Sequence, residues 1–181
     1  DGSVLPSART TVTTPESPDL QALLAVLRER GADTVVMEAS SHALALGRVE
    51  PIRFDVAAFT NLGWDHRDFH PTQEDYFEAK ARLFTPQRTR SAVVSVDDEW
   101  GVRLAGRVSA AGLPVVTTSL EGSPGADVTA DWRPAGSGSA VLVATPAGSY
   151  EVELSLPGEH NVRNLLTAVG LLLAAGLDVA A

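Results

Sequence analysis

The stretch from Phe54 to Phe84, F-D-V-A-A-F-T-N-L-G-W-D-H-R-D-F-H-P-T-Q-E-D-Y-F-E-A-K-A-R-L-F, decides the fold. It opens on an apolar run, Val56 to Phe59, of the kind a strand buried on both faces requires. It turns polar at Thr60, Asn61, Asp65, His66, Asp68 and His70. It then enters a helix opened by Thr72, with Asp75 three residues later as its capping-box partner. Open α/β sheets build ligand sites in this order, beyond the carboxyl ends of their strands.

Within that helix Tyr76, Ala79, Lys80 and Leu83 stand at i, i+3, i+4 and i+7, the spacing of one face. Lys80 therefore falls in the apolar stripe, while Glu78 and Arg82 lie opposite it and are spaced to pair. Burial disfavours an ammonium ion, and a neutral amine is what general-base, Schiff-base and carbamate chemistry use. The alternative is a lysine that buries its stem and lets its charge reach water.

Working outward, Ser17 reads as an N-cap with Pro18 at the first helical position, and Leu20, Leu23, Leu24 and Leu27 follow at helical spacing to Gly31. Thr34 to Met37 reads as a short buried strand running into Glu38-Ala39-Ser40-Ser41-His42. Beyond Phe84, strands are expected at Ala92 to Val96 and Val115 to Thr118, with a helix near Glu99 to Gly112 between them. This β-α-β-α order predicts an α/β fold, a mainly parallel sheet flanked by helices. After Leu120, Asp127 to Trp132, Ala140 to Thr145 and Ser149 to Leu154 predict a small antiparallel region near 125–156, with a turn at Pro146-Ala147-Gly148. A last helix carries Val162, Leu165, Leu166, Val169, Leu172 and Leu173 on one face and stops at Gly176.

A chain of 181 residues suits one domain. Its net charge of −9 argues against a nucleic-acid-binding surface, though a nucleotide pocket needs only local donors or a metal. With no cysteine there is neither a disulfide framework nor a thiolate nucleophile. The longest apolar run, Leu165 to Ala175, is too short to span a bilayer and no signal peptide opens the chain, so the expectation is a soluble cytoplasmic protein.

Parallel strands deliver their carboxyl ends to one rim, which predicts that Glu38, Asn61, Asp65, His66 and Lys80 converge. Oxygen ligands with one imidazole suit magnesium or manganese better than zinc. Asp65, His66, Asp68 and His70 also suggest the metal cluster of a hydrolase, and a non-catalytic nucleotide-binding module is a further reading. Asn161 and Asn164 share a face in the first turn of the last helix, where amides serve a purine edge or a helix cap equally well. Thr13, Thr14, Ser40 and Arg48 offer hydroxyls and a guanidinium, ordinary phosphate partners.

Several motifs recur together in order: Thr-Thr-Pro at 13–15, Met-Glu-Ala-Ser-Ser-His-Ala-Leu at 37–44, Phe-Thr-Asn-Leu at 59–62, Asp-His at 65–66, Tyr-Phe-Glu-Ala-Lys at 76–80 and Pro-Gly-Glu-His-Asn-Val-x-Asn at 157–164. Over nearly all its length the chain resembles the central, ATP-binding domain of the Mur ligases, and within them the MurE branch, with a MurF-like or folylpolyglutamate-synthetase-like ligase as the alternative. That resemblance implies an ATP-dependent ligase. It would add meso-diaminopimelate or L-lysine to UDP-N-acetylmuramoyl-L-alanyl-D-glutamate through an acyl phosphate, in peptidoglycan biosynthesis.

The resemblance also implies roles: Lys80 as a carbamylated lysine acting with His66 in catalysis, and Glu38, His66 and Lys80 at a Mg2+ site. Thr13, Thr14, Ser40 and Arg48 would meet the UDP-muramoyl dipeptide, and Asn61, Asn161 and Asn164 the nucleotide. Leu46, Arg67 and Pro71 depart from residues common in the family. No G-x-x-G-K-[ST] phosphate loop occurs in the 181 residues. Residues 1–181 are therefore expected to be a central domain cut just downstream of that loop, without uridine-binding and carboxy-terminal domains, and silent alone.

Overall fold

The structure, a computed structural model, describes residues 13–63 and 69–179. The chain divides into two compact units, Asp1–Ile52 with His66–Arg82, and Arg53–Asp65 with Leu83–Ala181.

In the second unit the apolar run of the opening stretch forms β1 (Phe54–Phe59) as expected, but it is not buried on both faces. Ala57 and Phe59 are buried while Val56 and Ala58 are only partly so, because β1 is the terminal strand of the described sheet. It is followed by β2 (Thr89–Ser95), α4 (Glu99–Ala110; α1 at Ser17–Glu29, α2 at Ser41–Ala45 and α3 at Gln73–Ala81 belong to the first unit), β3 (Val115–Ser119), β4 (Val128–Ala135), β5 (Gly138–Thr145), β6 (Gly148–Leu154) and α5 (Glu159–Ala174). The six strands make one sheet in sequential order. β1 to β4 run parallel, and β5 and β6 are antiparallel to their neighbours. The expected architecture, a mainly parallel sheet that ends in an antiparallel region, is therefore observed.

Eight residues are a short link between the parallel strands β3 and β4, which usually need a longer crossover. Here they suffice because the strands overlap only at Thr118↔Val128 and Ser119↔Thr129, so the chain doubles back by about 7 Å. Asp127 fastens the return: its Oδ2 accepts from Thr117 N at 2.7 Å and Thr117 Oγ1 at 2.8 Å.

The burial of β2 is continuous at Ala92, Val93 and Val94, whereas β5 alternates. Val141 pairs with Trp132 and Val152 on the inner face, and Leu142 with Asp131 and Glu151 on the outer one. That change from continuous to alternating burial is what a two-sided and a one-sided sheet each require. Across the inner face lies α5, whose Val162 and Leu166 join Val128, Val141 and Val143 in a buried cluster. Gly170 lets the helix approach closely, since a Cβ there would stand 2.7 Å from Val93 Cγ1. Leu172, assigned to the apolar face, is exposed.

The first unit holds α1 (Ser17–Glu29), α2 (Ser41–Ala45) and α3 (Gln73–Ala81). α3 begins with the predicted capping box: Thr72 Oγ1 accepts from Asp75 N at 3.0 Å and Asp75 Oδ2 accepts from Thr72 N at 3.2 Å. Its buried side includes Tyr76 and Ala79, but Phe77 and Ala81 are buried as well, so the stripe is wider than the spacing suggested. α1 starts one residue earlier than expected, with Glu16 rather than Ser17 as N-cap.

One expected strand is absent. Thr34 to Met37 has no strand pairing, and Val36 is 85% exposed. Apolar residues make a buried strand only where a neighbouring ladder receives them, and no described strand pairs with this segment.

Candidate functional site

In the first unit a polar knot forms around Thr14, whose side chain is fully buried. Its Oγ1 donates to Glu38 O at 3.0 Å and accepts from Ser40 N at 3.1 Å. Arg48 Nη1 donates to Thr14 O at 3.2 Å, and Arg48 Nη2 pairs with Glu16 Oε1 at 2.5 Å. Ser40 Oγ accepts from Ala43 N at 3.2 Å and so caps α2. Thr14, Ser40 and Arg48, grouped in the sequence as hydroxyl and guanidinium partners, are thus brought together with the backbone of Glu38. Thr13, beside them, is exposed. Two buried polar atoms in this region, Ser41 Oγ and Arg48 Nε, make no hydrogen bond.

From α2 a ring stack leads to α3. His42 lies 4.2 Å from Phe69 and 5.9 Å from His70, and His70 lies 5.2 Å from Tyr76, centroid to centroid. His70 is buried within this stack. Lys80 is half-buried, with Nζ 5.0 Å from the Tyr76 ring centre. A ring face attracts its ammonium. Glu78, expected on the solvent side, is half-buried as well, so burial does not separate the two faces as the spacing suggested.

His66, Asp65 and Asp68 lie outside the described residues, as do Trp64 and Arg67. Among the described residues no three His, Cys, Asp or Glu side chains are grouped to hold a metal ion. Of the expected magnesium set, Glu38 supplies a hard carboxylate, while Lys80 offers an oxygen donor only once its amine carries a carboxylate. The donor chemistry fits magnesium in that carbamylated form.

In the second unit, Asn61 is exposed beyond β1 and its Oδ1 accepts from Thr60 Oγ1 at 3.2 Å. Asn161 Nδ2 donates to Pro157 O at 2.7 Å, so this amide does fasten the start of α5. An amide has two donors and two acceptor positions, which leaves Asn161 capacity for a ligand as well. Asn164 is exposed one turn on.

Between the two asparagines stands Arg163, which the sequence reading passed over. Its Nη1 pairs with Asp97 beyond β2, its Nη2 with Glu121 beyond β3 at 3.0 Å, and the same Nη2 with Glu159 at 2.7 Å. Asp97, with its side chain 8% exposed, also accepts from Ser119 Oγ at 2.5 Å and from the Leu120 and Glu121 amides. Burial lowers the Arg163 pKa. The hydrogen bonds to Glu159 and Glu121 and the charges of Asp97 and Glu159 outweigh it, so the net shift is upward. Asp98 caps α4 by accepting from Gly101 N at 2.6 Å.

Residues 2–172 match the Mur ligase middle domain. The chain is 55% identical over 168 residues to UDP-N-acetylmuramoyl-L-alanyl-D-glutamate--2,6-diaminopimelate ligase of Streptomyces coelicolor, covering 92% of the chain and 33% of that relative. It is 46% identical to the protein of the same name in Corynebacterium glutamicum, covering 98% of the chain and 34% of the relative. A solved structure of a ligase with that name superposes with a TM-score of 0.84 at 34% identity, covering 92% of the chain and 34% of that structure. Thermotoga maritima MurF in complex with ADP shares the fold, with a TM-score of 0.61 at 19% identity over 77% of the chain and 31% of that structure. The chain thus spans about a third of the length of these relatives. By this match, which runs over almost all its residues, the chain belongs to the Mur ligase family and corresponds to its middle domain.

Proposed function

We propose that this chain is the middle domain of a longer ATP-dependent ligase that adds meso-diaminopimelate or L-lysine to UDP-N-acetylmuramoyl-L-alanyl-D-glutamate in the cytoplasm, during peptidoglycan assembly. The reading is supported by the knot in which one buried threonine, Thr14, fixes both Glu38 and Ser40 and receives Arg48. The resemblance assigns these same residues to substrate and metal.

In this reaction the γ-phosphoryl group of ATP passes to the substrate's terminal carboxylate, giving ADP and an acyl phosphate. The amine nitrogen of the diamino acid then attacks the acyl carbon. The amide bond forms as the C–O bond to phosphate breaks, and the amine loses a proton. Thr13, Thr14, Ser40 and Arg48 orient the muramoyl dipeptide, and the orphaned donors Ser41 Oγ and Arg48 Nε suit an oxygen-rich ligand. Asn61, Asn161 and Asn164 hold the nucleotide. Glu38, His66 and carbamylated Lys80 would hold magnesium, which offsets charge on the transferring phosphoryl group. The 181 residues contain no phosphate loop, so by themselves they are proposed to release no phosphate.

The test is ADP release by the full-length protein with ATP, the muramoyl dipeptide and each diamino acid in turn, with the product weighed by mass spectrometry. The reading expects ADP and amide in equal amounts, only when all three substrates are present. Metal-dependent hydrolysis without nucleotide would overturn it in favour of a hydrolase.

A further inference from the structure

We propose that Arg163 is a positioning residue for the nucleotide: it pins the first turn of α5 to the loops beyond β2 and β3 and so fixes where Asn161 and Asn164 stand. The proposal rests on the reading that those two asparagines face the nucleotide.

α5 begins weakly. Its N-cap is Gly158, at φ +94°, which offers no side-chain cap. An arginine near a helix amino terminus is also opposed by the macrodipole, so it stands there only if carboxylates outweigh that field. Three do so: Asp97, Glu121 and Glu159. Only Glu159 is local to the helix. Asp97 and Glu121 belong to the two segments that leave the parallel sheet at its carboxyl end, and Asp97 holds both segments together through Ser119 Oγ and the Leu120 and Glu121 amides. Ser119 Oγ in turn accepts from Ser123 N at 2.9 Å, and Ser123 Oγ donates to Val96 O at 3.1 Å. The guanidinium is therefore the hub of a network spanning three chain segments.

A rigid hub matters because amide recognition is directional. Asn161 lies two residues before Arg163 and Asn164 one after it, so a shift or fraying of this turn displaces both. Misplacement of a binding group by about 1 Å is enough to cost up to a hundredfold in function. The three carboxylates around one guanidinium repel phosphate, which assigns this hub to positioning rather than to direct contact with an anionic ligand.

The experiment measures binding of a fluorescent ADP analogue, together with KM for ATP and for the muramoyl dipeptide, in the full-length protein. The variants are Arg163→Met, Arg163→Lys, Glu121→Gln and the double variant Asn161→Ala/Asn164→Ala. Arg163→Met is expected to weaken nucleotide binding and raise KM for ATP about tenfold, leaving KM for the dipeptide within about twofold. Arg163→Lys, which keeps charge but loses the fork, is expected to recover part of this, and the exposed Glu121→Gln to cost about threefold. Should Arg163→Met not fold, Glu121→Gln alone decides, and an unchanged nucleotide affinity in it overturns the proposal. A fall in melting temperature with nucleotide affinity intact, or an equal rise in both KM values, also overturns it. If Asn161→Ala/Asn164→Ala loses nucleotide while Arg163→Met does not, the positioning role fails and the nucleotide reading stands. If the double variant binds as well as the parent, the nucleotide reading fails and the positioning role with it.

Discussion

Replacing Thr14 by valine isolates one oxygen atom. The side chains have nearly the same shape, Thr14 is fully buried, and its hydroxyl is used twice, toward Glu38 O and from Ser40 N. Valine leaves a backbone carbonyl and a backbone amide without that partner. Each such group costs about 1–3 kcal/mol when water cannot replace the bond. Ser40 is half-buried, so water recovers part of the loss, and a total near 2 kcal/mol follows. That corresponds to about a thirtyfold rise in local opening. Thr14→Ser keeps the hydroxyl and loses one methyl, at about 0.8 kcal/mol or less. Hydrogen exchange of the peptide spanning residues 34–44 in the full-length protein reads this directly. Thr14→Val is expected to speed exchange about thirtyfold at Ser40, and Thr14→Ser less than fivefold. Equal exchange in the two variants would refute the claim that the hydroxyl holds the Glu38–Ser40 segment.

Gly101→Ala places a Cβ 1.8 Å from Ser95 O, a backbone atom that cannot rotate away. The helix-propensity gain of about 1 kcal/mol is outweighed by overpacking, so a fall in melting temperature is expected, and a rise would contradict the close approach of α4 to β2. Asp98→Ala, which removes the α4 cap, is expected to cost about 1 kcal/mol in denaturant unfolding. The raised Arg163 pKa gives a pH prediction with a definite sign. Its stabilisation is complete below the unfolded value and is lost only as pH rises through the higher folded one. The stability difference between parent and Arg163→Met should therefore stay flat between about pH 6 and 10; a difference that vanishes inside that window would contradict the ion-pair assignment. For Lys80, intact mass of the full-length protein in bicarbonate and magnesium is expected to show one added carbon dioxide. Lys80→Ala should lack it and lose about a hundredfold or more in turnover.

Features fixed by local chemistry were legible in the sequence. The Thr72–Asp75 capping box depends on residues three apart, and the antiparallel region followed from short strand runs after Leu120 with a Pro146-Ala147-Gly148 turn between the last two. Thr34 to Met37 could not be decided that way, because a strand exists only with a partner and the run itself does not say whether one is there. Lys80 is half-buried beside Tyr76, as is Glu78 on the face expected to meet solvent, and its approach to the Tyr76 ring depends on rotamers that spacing does not specify. Asn161 was open between cap and ligand; its bond to Pro157 O shows that it fastens the helix, with amide capacity to spare. The Arg163 hub was hidden because Asp97 is 66 residues distant. Two signals pointed toward it: Glu159 four residues before Arg163, and an arginine set against the helix dipole.

The central claim, that the parent protein activates a carboxylate by phosphorylating it, is tested most directly by oxygen tracing. The terminal carboxylate of the muramoyl dipeptide is labelled with heavy oxygen, and a single turnover is run with ATP and the diamino acid. The account predicts one labelled oxygen in the released inorganic phosphate and one in the new amide. Label in AMP, or phosphate free of it while amide forms, would contradict the account.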